Sequence, residues 1–166
     1  WIKIGDVKVG NKYITETKEK INKIGASKSR IVKEGDFLLS NSMSFGRPYI
    51  SAIEGCIHDG WLAISNFEAT LTRDFLYHLL SSTKIQRILA KKASFGGAVQ
   101  NLNADIVRSI ELPIPPYAEQ KRIAAILDQL DELYNSITKN ILTEIEARKK
   151  QYEYYRDKLL SFKELS

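Results

Sequence analysis

The chain has 166 residues, 43% hydrophobic and 27% charged, a composition that suits one ordinary globular domain with an appendage and excludes both a disordered tail and two full-sized cores. The formal charge of +5 is unevenly placed: residues 1–110 hold 16 Lys/Arg against 10 Asp/Glu, and residues 111–166 hold 9 against 10, so a polyanionic partner would meet the first part. One cysteine (Cys56) and two histidines (His58, His78) exclude a disulfide framework and are too few for a Cys-rich zinc site, so neither metal nor other cofactor is expected.

Cys56 reads as a small buried apolar residue in a reducing, cytoplasmic setting. No apolar run approaches the ~18 residues that cross a bilayer, and no secretory-type leader opens the chain, so no membrane role is expected.

In chain order, Arg30 to Ser40 reads as a short strand, a Glu34-Gly35-Asp36 turn and the strand Phe37-Leu38-Leu39-Ser40. Pro48 to Glu54 and Trp61 to Ser65 form two further strands around a Gly55 to Gly60 turn region. Thr72 is placed to cap a helix, with Asp74 in its first turn and Phe75, Leu76, Leu79 and Leu80 on one face. Thr83 to Gln86 has the spacing of a capping box for a second helix carrying Ile85, Ile88 and Leu89. That helix ends in Lys91-Lys92 and meets the stop signal Ser94-Phe95-Gly96-Gly97. Strands mixed with a few helices predict an α+β domain.

Ile110 to Pro116 contains three of the four prolines and must be extended. Beyond it no Gly or Pro occurs for fifty residues. Pro116 suits the first turn of a helix, and Glu119 complements its dipole. Apolar residues recur at Ile123, Leu127, Leu130, Tyr134, Ile137 and Ile141, a heptad seam. A second step of four, to Ile145, is a stutter, after which the seam continues through Arg148, Tyr152, Tyr155, Leu159 and Phe162. A helix from about Tyr117 to Ser161 would be roughly 65–70 Å long at ~1.5 Å per residue. Alone it cannot bury its own stripe, so a second helix is expected against it. The division is therefore a mixed domain over residues 1–113 and a helix over 114–166.

Enzymatic signals are weak. Ile114-Pro115-Pro116-Tyr117 resembles the (Asn/Asp)-Pro-Pro-Tyr loop of amino-methyltransferases, but the polar first residue is replaced by Ile114, whose side chain cannot accept the hydrogen bonds of a target amine. Asp6 with Glu16-Thr17-Lys18 matches a loose nuclease pattern that charged sequences meet by chance. No phosphate-binding loop with the G-x-x-x-x-G-K-[ST] spacing occurs. More informative are two polar loops of small residues, Ser40 to Arg47 and Ser94 to Asn103. Their Asn, Gln and Arg side chains can bond base edges in pairs, while Ser and Lys more often position phosphates.

The stretch Leu112-Pro113-Ile114-Pro115-Pro116-Tyr117-Ala118-Glu119-Gln120-Lys121-Arg122-Ile123-Ala124-Ala125-Ile126-Leu127-Asp128 resembles the junction signature of type I restriction–modification specificity subunits, written P-x-x-E-Q-x-x-I. Tyr155 to Phe162 resembles the close of that family's conserved helix. Val32 to Ser40, Phe45-Gly46-Arg47 and Gln100-Asn101-Leu102 are similar to its strand and turn motifs. The resemblance covers essentially the whole chain.

It implies a non-catalytic DNA-recognition subunit. Each of two target-recognition domains reads half of a bipartite site in double-stranded DNA. Conserved helices pair antiparallel between them. Type I methyltransferase (modification) subunits dock on the assembly, joined by a motor-nuclease restriction subunit. Only one domain and one helix are present here. The start at Trp1 and the ending around Leu159-Phe162 are read as those of a C-terminal half, with a naturally short form as the other option.

Expected DNA contacts are Ser42, Ser44, Arg47, Lys91, Lys92, Gln100, Asn101 and Asn103, with Arg47 equally open to a structural turn role. Expected helix-pairing residues are Ile123, Leu127, Leu130, Tyr134, Ile137, Ile141, Ile145, Tyr152, Tyr155 and Leu159, through which the chain would self-associate. The competing expectation is a protein-assembly scaffold without sequence preference.

Overall fold

The computed structural model describes residues 1–7, 10–41, 45–93 and 102–161. Two compact units are distinguished, Trp1–Ala124 and Ala125–Ser166, and the expected α+β class holds.

The first unit is built on a four-stranded sheet. Strands β1 (Tyr13–Ile14), β2 (Arg30–Val32), β3 (Phe37–Ser40), β4 (Pro48–Ser51), β5 (Gly55–Ile57) and β6 (Trp61–Ile64) are interspersed with helices α1 (Lys23–Ser27), α2 (Arg73–Ser81), α3 (Thr83–Ala93) and α4 (Ala104–Arg108). The main sheet has the order β1-β4-β3-β6, parallel only at β1–β4; β2 and β5 form a separate antiparallel ribbon. All four residues of β3 are buried, which explains its unbroken apolar reading. A strand covered on both faces has no solvent side to require alternation.

Side chains alternate between two cores across this sheet. Phe37, Leu39 and Ile50 join Phe75, Leu76 and Leu80 of α2, Ile85 and Leu89 of α3, and Ala124. Leu38, Tyr49 and Trp61 join Ile2, Ile14, Val32 and Ile57. The Phe37 and Phe67 rings meet edge-on at 5.2 Å, and Tyr49 and Trp61 at 5.6 Å, the arrangement that ring quadrupoles favour. The buried Trp61 indole donates to the Ile2 carbonyl at 3.2 Å.

Local details depart from expectation in instructive ways. The region read as a turn from Gly55 to Gly60 begins with β5, which pairs with β2. A Cβ on Gly55 would lie 3.1 Å from the Ile2 side chain, which would have to give way by a few tenths of an ångström. The strand expected to reach Glu54 ends at Ser51. The box expected at Thr83 to Gln86 does not form. The Ser82 hydroxyl accepts the Ile85 N–H at 3.4 Å, and the Gln86 side chain reaches elsewhere. Cys56 is buried, as expected.

Helix α5 runs over Tyr117–Leu160. Its first turn starts on the Pro116 carbonyl, which accepts the N–H groups of Glu119 and Gln120. Through Ala124 it belongs to the first unit, where Gln120 and Ala124 are its buried residues. In the second unit the helix is exposed, with Tyr134 at 69% and Leu159 at 72%. Among the described residues no helix is long and apolar enough to cross a membrane.

Candidate nucleic-acid interface

The described ends of the two polar loops, Ser40–Asn41 and Leu102–Asn103, are joined by a backbone bond. At the root of the first, the Ser40 N–H donates to the Arg47 carbonyl at 3.2 Å and the Gly46 N–H donates to the Ser40 carbonyl at 2.7 Å. The Ser40 hydroxyl, on a residue with no exposure, accepts the Arg47 N–H at 3.3 Å. Gly46 has a φ of +68°, a conformation that costs other residues roughly 1–2 kcal/mol. Helix α3 holds the turn from one side, the Gln86 amide donating to the carbonyls of Gly46 at 2.8 Å and Leu80 at 2.7 Å.

Asn41 joins this root to two others. Its backbone N–H donates to the Gly60 carbonyl at 2.9 Å, and its side-chain amide donates to the Asp59 carbonyl. Its own carbonyl accepts the N–H of Leu102 at 3.4 Å. Leu102, nearly fully buried in the helix-side core, ends the second polar loop. Residue 102 is thus paired with residue 41, directly after strand β3.

Clefts flank this junction. One, of about 230 Å³, is lined by Asn11, Arg47, Tyr49, Tyr77, Ser81 and Gln86 among others. Next to it the Lys12 ammonium sits 5.1 Å from the Tyr77 ring centre and 2.8 Å from an Asp74 carboxylate oxygen. The other, of about 510 Å³, is lined by Trp1, Lys28, Arg30, His58 and Asp59. Here the Trp1 and His58 rings lie 6.0 Å apart. Guanidinium, amide and aromatic groups around cationic side chains are the equipment for paired hydrogen bonds to base edges, stacking and phosphate contact.

Of the expected contacts, Ser42, Ser44, Gln100 and Asn101 lie outside the described residues. Arg47 is exposed at the loop root, and Lys91 is exposed in the last turn of α3. Lys92 is turned to a structural use, its ammonium donating to the Ser109 carbonyl at 3.1 Å and hydroxyl at 2.7 Å. Asn103 caps α4, its side-chain oxygen accepting the Ile106 N–H at 2.9 Å. Neither Asn41 nor Gln86 is among the contacts expected from the sequence. Asn41 carries a faint signal as a polar residue directly after a fully apolar strand; Gln86 was assigned to a cap. The Asp6 carboxylate accepts the backbone N–H groups of Lys3 and Lys18. Among the described residues no three His, Cys, Asp or Glu side chains are grouped to hold a metal ion.

At the junction motif, Gln120 is 1% exposed and fully engaged. Its Oε1 accepts the Thr72 N–H at 2.8 Å, and its Nε2 donates to the carbonyls of Thr70 at 2.9 Å and Pro115 at 3.0 Å. Beside it, Glu119 takes a two-pronged bond from Arg122, at 2.8 Å from Nε and 2.7 Å from Nη2. This bond holds the Glu119 carboxyl below its usual range and raises the Arg122 guanidinium.

The family model described as type I restriction modification DNA specificity domain matches residues 1–147. The chain belongs to this family. A Haemophilus influenzae protein named as a type I restriction enzyme specificity subunit is 34% identical over 161 residues, 95% of this chain and 38% of the relative. The EcoR124I/EcoR124II specificity subunit of Escherichia coli is 44% identical over 88 residues, 53% of this chain and 22% of that subunit. The specificity domain described here therefore spans well under half the length of these relatives. Among solved structures, the HsdS subunit from Thermoanaerobacter tengcongensis superposes with a TM-score of 0.53 at 24% identity, over 66% of this chain and 25% of that one. A chain from a study of type I R-M complex assembly and conformational transition gives 0.58 at 24% identity, over 75% and 30%. At these identities the likeness is one of fold.

Proposed function

We propose that this chain is a DNA-reading module of a type I restriction–modification system. The recognition part, residues 1–113, reads one half of a bipartite site in double-stranded DNA. The helical part, 114–166, acts as the spacer, pairs with a second helix and offers a platform for methyltransferase subunits and, through them, the motor-nuclease subunit. The module itself carries out no chemistry, needs no cofactor and works in the cytoplasm.

The observation that carries this reading is the pairing of Asn41 with Leu102. It sets residue 102, which follows one polar loop, against residue 41, which precedes the other, at the end of strand β3, beside clefts lined by Arg47 and by Lys28 and Arg30. Polar loops carried on a packed scaffold suit base readout. Family membership and the excess of positive charge in the first part support the same conclusion.

The test is selection from a randomised duplex library at two salt concentrations, with the chain alone and with a matching methyltransferase subunit. Enrichment of a short, defined half-site, sharpened by the methyltransferase, is the expected result. Binding without any sequence preference under both conditions would instead identify an assembly scaffold.

A further inference from the structure

Between the main sheet and its helices lies a cavity of about 450 Å³, a size that encloses a small molecule. Its walls are side chains of the helix-side core: Leu39 of β3, Leu62 of β6, Leu76 and Leu80 of α2, Leu89 of α3 and Val107 of α4. Leu39, Leu76, Leu80 and Leu89 are buried, and Leu62 and Val107 partly so. Among the described residues that line it, only Arg30, Ser65, Asn66 and Arg108 carry polar side chains, and all of these are exposed. The polar side chains therefore form the rim, and the walls behind them are hydrocarbon. A water molecule is held by about two to four polar partners, which leucine walls do not offer. An alkyl chain needs none and gains with every methylene it withdraws from water.

The rim has a sign. Among the described residues two guanidinium groups and no carboxylate line the cavity. The Arg30 Nη2 reaches the Ala63 carbonyl at 3.5 Å, which sets this guanidinium against β6, the outer strand of the sheet and one wall of the cavity. A bond of that length to a neutral carbonyl is weaker than one to a carboxylate. Arg108 pairs with Asp105 at 3.2 Å, both side chains being more than three-quarters exposed, so that pair is weak and open to exchange. The guanidinium fork matches a carboxylate through two parallel hydrogen bonds.

We propose that this cavity binds a single-chain anionic amphiphile, with its carboxylate head at Arg30 and Arg108 and its unbranched alkyl tail among the leucines. The tail supplies affinity through buried area, and the head fixes direction and sign. Arg30 also lines the 510 Å³ cleft beside Trp1 and His58. Binding of the amphiphile is measured without DNA, so its outcome stands apart from the reading proposed for that cleft.

The experiment is calorimetric titration of the full chain with octanoate, decanoate and dodecanoate, each below its micellar concentration. One molecule per chain is expected, with affinity rising about tenfold for each added pair of methylenes. Arg30→Ala should weaken decanoate about tenfold and leave the weaker binding of 1-octanol unchanged. Ala104 lines the cavity at the start of α4, and Ala104→Trp should close the mouth to both ligands. Arg30 and Ala104 are exposed, and circular dichroism checks that each variant folds. Decanoate binding unaltered by either variant would belong elsewhere, as on the exposed apolar stripe of α5, and would overturn the proposal. So would affinity independent of chain length, or equal binding of decyltrimethylammonium. An absence of decanoate binding would mean that the chain's own side chains close the cavity, and would overturn it as well.

Discussion

The side-chain oxygen of Gln120 accepts the backbone N–H of Thr72 at 2.8 Å, so α2 receives its N-terminal cap from a residue 48 positions later in another helix. Thr72 occupies the cap position, but its hydroxyl makes no cap bond and is buried without a partner. With its amide bonded to the carbonyls of Thr70 and Pro115, Gln120 closes the chain between the domain and α5. An amide is required at this place. Only a group that both donates twice and accepts can satisfy two carbonyls and one N–H at once.

Removing that amide should therefore unfold the first unit more easily. Gln120→Ala leaves buried polar groups unsatisfied and is expected to cost about 2–3 kcal/mol. Gln120→Glu should cost more at neutral pH, because a carboxylate would face the Thr70 and Pro115 carbonyls. Burial raises such a carboxyl in the folded state, so protonation restores a donor and part of the loss should return as the pH falls. Urea unfolding of both variants at pH 7 and pH 5 checks this. Equal stability of the two at neutral pH would argue against the clasp.

The two lysines that end α3 should behave differently. Lys91 is exposed, so Lys91→Ala should weaken binding to all DNA sequences alike and lower the salt slope by about one ion. Lys92 bonds Ser109, so Lys92→Ala should add a small loss of stability to any loss of binding. Replacing a base-reading Gln100 or Asn101 is expected to relax preference at one position by ~1–3 kcal/mol. Titrations against specific and scrambled duplexes at several salt concentrations separate these outcomes. A uniform loss from all of these changes would contradict the division of roles.

Asn103 should behave as a cap and not as a reader. Its side chain starts α4, so Asn103→Ala is expected to cost ~1 kcal/mol of stability. Asn103→Asp or Asn103→Ser should retain the cap. Thermal melts of the three variants provide the test. Altered sequence preference in a fully stable Asn103→Ser chain would return this residue to the reading surface.

What was legible in the sequence were features set by local pattern. Phe37 to Ser40 is wholly apolar until its last residue, and α5 lacks any Gly or Pro, so both were read with nearly the observed bounds. Features that depend on distant partners were not legible. Strand β5 is three residues long and starts with a glycine; it exists because β2, more than twenty residues earlier, lies beside it. Thr72 and Gln86 carry good cap chemistry, yet Gln120 and Gly46 respectively decide what they bond. The site was readable as two loop compositions. That Leu102 bonds Asn41 is a tertiary fact, and the cap at Asn103 competes with a base-contact reading of the same amide.

The turn that presents Arg47 offers the sharpest separation of folding from reading. Gly46 lies at a φ of +68°, and an added Cβ would come within 3.2 Å of the Leu89 methyl and 3.4 Å of the Gln86 amide oxygen. Gly46→Ala should therefore cost ~1–2 kcal/mol and displace Arg47 together with the loop that precedes it. Gln86→Ala keeps the glycine but removes the bond to its carbonyl, leaving the turn less firmly held. Both variants should lose discrimination between specific and scrambled duplexes while keeping the salt-dependent background binding expected of Lys91 and the other basic side chains. Parallel measurement of unfolding and of the specificity ratio decides the matter. If discrimination survives in a destabilised Gly46→Ala chain, Arg47 is a structural turn residue and base reading belongs to other loops.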